Sequence, residues 1–315
     1  MQARGNAPPI GAIFDTALSR SEHVLAMAAL YKLQSMRETR TGSLSISLPD
    51  LRAAALCDAL ARYFTNSRAT AAIGLPMPKS PTPAPNHMVE AVLGERLPSG
   101  EPRYPHGIAK PNDTADVAAT IRNGISAQQP DNAAVIAAGP ISNIAAAMKL
   151  PDMAELLPKR VRTLVVVNST EDLRLDLPAA RQVLADWPTP LVLVDAPGID
   201  FPGAQLESRF SWAMNSPIRE AYRAYQPMPY DASLRAAIAV LYAVRPSSEI
   251  FSLSASGTVD LSDDGSTQFR PGNGKHRILR IKEDQREAAV QLLMDLIAAQ
   301  PPQPQTGRGR GGPQE

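Results

Sequence analysis

The chain has 315 residues, 44% of them hydrophobic and 20% charged, a balance typical of a globular protein built around one or two cores. A formal net charge of +1 with 5% aromatics supplies neither a basic face for phosphate backbones nor a set of stacking platforms, so nucleic acid is not an expected partner. No run of about 18 apolar residues is present to span a membrane, and the single cysteine, Cys57, excludes an internal disulfide.

Residues 1–8 read as a flexible N-terminus without an apolar signal core: the chain is cytoplasmic if Met1 is the native start, exported if a signal has been removed. Short apolar runs follow at Ile10–Phe14, Ser43–Leu48, Ala71–Leu75, Ala133–Ala138, Val161–Val167 and Leu191–Val194, each rich in Val, Ile, Leu or Ala as a strand buried on both faces should be. Between and after them, Glu22–Met36, Asp50–Phe64, Thr114–Ile125, Ile141–Leu150, Leu177–Trp187 and Ser233–Tyr242 carry helical apolar spacing. Cys57 falls on the apolar spacing of the second of these and reads as a small core residue. Residues 76–112 interrupt the rhythm with proline-rich text that cannot continue a helix or central strand, which predicts a surface excursion and a candidate lid. After Tyr242 the alternation of EIFSLSASGTVDLSDDGSTQFR, with Asp263-Asp264-Gly265 at its centre, predicts an appended β-hairpin, then a helix over Glu283–Ala299. The fold class is α/β: an open, mostly parallel sheet with helices on both faces, one domain over 9–300 and a disordered Pro/Gln/Gly/Arg tail over 301–315.

Three segments carry a family resemblance. The strand Ala133–Ala138 runs into Gly139-Pro140-Ile141-Ser142-Asn143 and a helix; Met228-Pro229-Tyr230-Asp231 opens a late helix; and Ile13-Phe14-Asp15-Thr16 ends the first strand. In this order they resemble the inosine-uridine-preferring nucleoside hydrolases, particularly a divergent bacterial branch. The resemblance implies an open α/β fold that hydrolyses the N-glycosidic bond of ribonucleosides with one bound calcium. A hard dication gathers oxygen ligands and lowers the pKa of a bound water, while the breaking bond leaves oxocarbenium character on the ribose.

Carried over residue by residue, the resemblance is incomplete. The family loop runs DxD, a spacer, then DD; here Asp15 keeps the first aspartate, Ala17 stands where the general base belongs, and Glu22 and His23 take the places of the final pair. The metal set it implies is Asp15, the carbonyl of Ser142 and Asp231, with His23 as a further candidate that suits a transition metal better than calcium. Glu22, Asp50 and Asp172 are the implied ribose-binding groups, and Asp15 and Tyr230 the remaining catalytic candidates, Tyr230 replacing the histidine that assists the departing base.

Local readings stand beside these. Ser19 and Glu22 fit a capping box for the first helix; Asp50 and Asp231 sit where helix caps are expected, and Asn143 reads as a cap or brace of its own helix. Three functions stay open: a degenerate relative binding a nucleoside or similar ribose-bearing ligand, a glycosidase with a rearranged site using Asp15, Asp172 and Asp231, or a protein-interaction module. Calcium, another divalent metal or none are all compatible with the residues, as is a homo-oligomer.

Overall fold

The computed structural model describes residues 8–66, 72–77, 85–213 and 215–302. The expected N-terminal flexibility, Ala71, part of the excursion and most of the tail fall outside them.

The strands are β1 (Ile10–Thr16), β2 (Thr39–Ile46), β3 (Ile73–Leu75), β4 (Ala115–Asp116), β5 (Ala133–Ala138), β6 (Val161–Val167), β7 (Leu191–Val194), β8 (Asp200–Phe201), β9 (Ala232–Ser233), β10 (Phe251–Leu253), β11 (Gly257–Leu261), β12 (Thr267–Pro271) and β13 (His276–Ile281). Eleven of them form one sheet in the order β12-β11-β13-β7-β6-β5-β1-β2-β3-β4, with β10 beside β13. From β4 to β13 along that order every pairing is parallel. Their unbroken Val, Ile, Leu and Ala content follows from burial on both faces: β1, β5 and β7 have no exposed residue.

The helices are α1 (Ser21–Ser35), α2 (Leu51–Thr65), α3 (His87–Gly94), α4 (Val117–Ser126), α5 (Ser142–Met148), α6 (Met153–Arg160), α7 (Thr170–Arg174), α8 (Leu177–Asp186), α9 (Leu206–Arg209), α10 (Pro217–Tyr225), α11 (Arg235–Val244) and α12 (Arg286–Ile297). Two apolar layers result. One joins α1, α2 and α11 to one face of the sheet, and the other joins α4, α5 and α8 to the opposite face. None of the helices is long and apolar enough to cross a membrane, among the described residues.

One expectation is corrected and another is extended. The excursion over 76–112 contains a helix, α3, because its prolines flank the apolar run HMVEAVLG rather than interrupt it, and the Asn86 side chain accepts from the Val89 N–H at 3.4 Å to start it. It is also tied down: Asp58 of α2 accepts from the Gly107 N–H at 2.6 Å, and Asn86 Nδ2 donates to the Leu18 carbonyl at 2.8 Å. The C-terminal alternation does form the β11–β12 hairpin, with Gly265 at φ +86° in its turn. Beyond it, β13 continues the parallel sheet beside β7, so the sheet extends further than an appended hairpin alone would carry it.

The chain steps outward from β1 through β2, β3 and β4, then returns to the other side of β1 as β5. That reversal makes the carboxyl ends of β1 and β5 the place where neighbouring connections diverge and leave a crevice.

Candidate functional site

Asp15 lies one residue from the end of β1, in register with Ser45 of β2 and Ala137 of β5. It is fully buried. Its Oδ1 accepts from Ser45 Oγ at 2.5 Å and from Asn143 Nδ2 at 2.8 Å, while its Oδ2 has no hydrogen-bond partner. Asn143 also donates to the Ile46 carbonyl at 2.9 Å, so it braces Asp15 and β2 rather than capping its own helix. Burial pushes the Asp15 carboxyl up to about 7, and the bonds from Asn143 and Ser45 recover only part of that penalty. It therefore changes charge near neutral pH.

Beside it the chain turns tightly. Leu18 is buried at φ +46°, a conformation that L-residues adopt rarely, and the Asn86 contact to its carbonyl holds it there. Gly139, at the end of β5, faces Ala17: a Cβ there would lie 2.4 Å from Ser47 Oγ and 3.0 Å from the Ala17 nitrogen. The strand ends close over Ala17, which has no proton-accepting group of its own.

The next loop residue, Arg20, organises the second half of the site. Its Nε donates to Glu22 Oε1 at 2.8 Å, its Nη1 donates to Asp172 Oδ1 at 3.1 Å, and its Nη2 pairs closely with Asp172 Oδ2. Asp172 stands in the first turn of α7, whose cap is the Ser169 side chain. Glu22 and Asp172 are both buried, and Arg20 is mostly so. Burial alone would raise the Asp172 carboxyl; the Arg20 guanidinium overrides it and holds the group below the usual carboxylate range. A second guanidinium, Arg235 of α11, lies 4.0 Å from Glu22 Oε1 and donates to the Asn168 carbonyl at 2.9 Å.

His23 is buried against this hub. Its Nδ1 faces the Ser19 and Arg20 N–H groups at 3.3 and 3.4 Å, and its Nε2 is 3.3 Å from Arg20 Nη2. Burial, followed by the Arg20 charge, lowers its pKa to about 4, so the ring is neutral at physiological pH. The expected Ser19–Glu22 capping box is corrected here. Arg20 is extended at φ −133° and ψ 154°, so α1 begins at Ser21, the imidazole serves the loop N–H groups, and Glu22 turns to Arg20.

The remaining expected residues lie apart from Asp15's hydrogen bonds. Asp50 caps α2, accepting from Arg52 and Ala53 N–H groups at 2.9 and 3.1 Å. Ser142 is the first residue of α5, beside Asn143. Asp231 is exposed and accepts from the Gly203 N–H at 3.0 Å, so it braces a loop before α9 instead of capping α11. Tyr230 stacks on Tyr222 with ring centroids 4.5 Å apart, and each hydroxyl donates to the other's carbonyl at 2.6 Å. Burial pushes the Tyr230 phenol up to about 12, and with its proton engaged by a carbonyl it is a poor acid at neutral pH.

Calcium asks for six to eight converging oxygens. Asp15 and Glu22 each keep one buried oxygen without a hydrogen-bond partner, Asp231 gives Oδ1 to the Gly203 N–H, and Asp172 together with Glu22 Oε1 is committed to Arg20. No group of three or more His, Cys, Asp or Glu side chains is arranged to hold a metal among the described residues. The residues present do not fit the calcium centre that the sequence resemblance implies.

Sequence reasoning missed Arg20, Arg235 and Ser45. Two signals were available: an arginine isolated between Ser19 and Ser21 ahead of Glu22, and the small polar alternation of Ser43, Ser45 and Ser47 along a strand that should be apolar on both faces.

No family model matches the chain, and no curated protein matches it in sequence. Solved structures do. A plant nucleoside hydrolase superposes with a TM-score of 0.66 at 18% identity, over 93% of this chain and 100% of that one. A purine-preferring ribonucleoside hydrolase from Gardnerella vaginalis gives 0.64 at 13%, over 91% and 98%. The type III effector protein XopQ, complexed with adenosine diphosphate ribose, gives 0.62 at 14%, over 95% of each chain. The chain has the fold of the nucleoside hydrolases.

Proposed function

We propose that this chain is a small-ligand-binding member of the nucleoside hydrolase fold, in which the Arg20 hub has taken the place of a calcium centre and metal-assisted N-glycoside hydrolysis is lost. The observation that carries the reading is the commitment of Glu22 and Asp172 to one buried guanidinium, beside a loop where Ala17 offers no base. A guanidinium held between two carboxylates occupies the acidic groups that a dication would otherwise need. The ligand class is ribose-bearing. The neighbours include hydrolases of ribonucleosides and an effector complexed with adenosine diphosphate ribose, and Asp15, with one oxygen unengaged, can accept from or donate to a hydroxyl.

One observation favours a second reading. A carboxyl near pKa 7 is well placed to take a proton at neutral pH, so Asp15 is able to serve as a general base in a rearranged glycosidase. Calorimetric titration with inosine, uridine and adenosine diphosphate ribose, alongside an assay for released base, separates the two. Binding without base release is expected, with affinity reduced in Asp15→Asn. Base release abolished by Asp15→Asn would establish the glycosidase, and absence of binding to all three ligands would remove the ribose-ligand reading.

A further inference from the structure

Asp172 owes its place to α7, a helix of five residues, and a single turn of that length does not hold itself in water. Three contacts close by keep it. The Ser169 hydroxyl accepts from the Asp172 N–H at 3.2 Å, Leu173 is buried in the core, and Arg20 grips the Asp172 carboxylate. A fourth comes from far along the chain. The β11–β12 hairpin begins where Gly257 stands opposite His276 at the amino end of β13, crosses α8, where Asp263 pairs with Arg181, and brings its turn onto α7.

The burial of that turn sets it apart. A hairpin tip is normally exposed and tolerant of change, and Ser262, Asp263 and Asp264 are exposed here, yet Gly265 is buried. Its φ of +86° favours glycine, and a Cβ at this position would press on the Thr170 carbonyl and lie 2.8 Å from Arg174 Cβ and 3.0 Å from the Arg174 nitrogen. The tip therefore packs directly on the backbone of α7. Two residues on, Thr267 Oγ1 donates to Asn168 Oδ1 at 3.0 Å. Asn168 is a junction, because its carbonyl accepts from Arg235 Nη1 at 2.9 Å and the next residue, Ser169, caps α7. One ribbon thus fixes both the entry of α7 and its last residue, and α7 carries the carboxylate that holds Arg20.

We propose that the β11–β12 hairpin is a strap that positions the carboxyl-end site: Gly265 and Thr267 hold α7 and Asn168, and through them set Asp172 against Arg20 in the geometry a ligand meets. The strap bears on function only if the carboxyl end is the ligand site proposed above, so its first readout is taken without ligand. Amide hydrogen exchange over residues 168–176 of the full chain is measured in wild type, Thr267→Val, Thr267→Ser and Gly265→Asn. Asparagine tolerates a positive φ better than most residues, so Gly265→Asn probes the contact with α7 more than the turn itself. Thr267→Val and Gly265→Asn should each speed exchange in this segment about threefold to tenfold, the scale of one hydrogen bond, with β5, β6 and α11 unchanged. Thr267→Ser should keep the wild-type rate. Calorimetry with adenosine diphosphate ribose should then show the affinity falling by a similar factor in the first two variants and returning in Thr267→Ser. If the wild type does not bind this ligand while exchange behaves as expected, the ligand reading falls and the strap stands. Unchanged exchange over α7 in both variants would overturn the strap, as would faster exchange spread equally over the sheet, or an affinity unmoved while α7 loosens.

Discussion

The two ends of the parallel sheet handle charge in opposite ways. At the carboxyl ends of β1, β5 and β6, buried polar groups are largely engaged within the protein: Arg20 pairs with Glu22 Oε1 and Asp172, and Asp15 Oδ1 accepts from Ser45 and Asn143, while Asp15 Oδ2 and Glu22 Oε2 keep no hydrogen-bond partner. At the amino ends of β6, β7 and β13, Arg162, Lys275 and Arg277 face a cavity with no lining carboxylate among the described residues. Matched buried charge rigidifies and closes a site, because desolvation makes each group depend on its partner. Exposed cations such as Lys275 and Arg277 at the cavity are solvated instead. The reversal of strand order puts a crevice at the first end, while the cavity of about 510 Å³ lies at the second.

Breaking the match at the carboxyl end should produce the largest effect. Arg20→Met leaves Asp172 buried without a hydrogen-bonded cation and Glu22 with only Arg235 at 4.0 Å, and is expected to cost about 3–5 kcal/mol. Urea unfolding measures this, and adding Glu22→Gln and Asp172→Asn to the same chain should restore most of the loss. If Arg20→Met alone costs under ~1 kcal/mol, the hub is not the organising element described here.

Asp15→Asn probes the other buried charge. Its folded pKa of about 7 lies above the ordinary carboxyl value of 3.8, so its contribution is full below the unfolded value and is lost as pH rises through 7. At pH 8 the wild-type carboxylate is charged and buried, whereas asparagine keeps the Oδ1 acceptor for Ser45 and Asn143. The variant should therefore be more stable than wild type at pH 8, by about 2–4 kcal/mol from a shift of roughly three pKa units, and similar to it near pH 4.

His23 gives the opposite slope. Its pKa is lowered from 6.5 to about 4, so the stability it confers is present above 6.5 and lost as pH falls toward 4. Between pH 4 and 6.5 the two groups offset one another in the wild type. Single variants should uncover the slopes: Asp15→Asn gains stability as pH rises across this window, and His23→Gln loses it. Parallel profiles for both variants would show that these two groups do not set the pH response. The smallest effect belongs to the far end, where Arg277→Ala should shift stability by less than ~0.5 kcal/mol because the side chain is exposed and without an ion pair.

The parallel strands were legible because their apolar runs report burial on both faces, whereas Asp15 was singled out only through the family resemblance of the first strand's end. The excursion misled because proline marks the ends of a helix as readily as its absence, which hid α3. Strand β13 was missed because the exposed Arg277 and Arg280 interrupt its apolar residues, so no unbroken apolar run marks it although it pairs in parallel with β7. The hub was harder still. Glu22 and Asp172 stand 150 residues apart, and only the fold brings both to Arg20. No local spacing announces such a pairing.

Calcium titration of the wild-type chain tests the central claim most directly, with thermal unfolding as the readout, since a ligand that binds only the folded state raises its melting temperature by mass action. The account predicts an unchanged melting temperature up to millimolar calcium, with or without inosine. A calcium-dependent rise in melting temperature would contradict it, showing that the carboxyl-end oxygens gather around a metal despite the Arg20 hub.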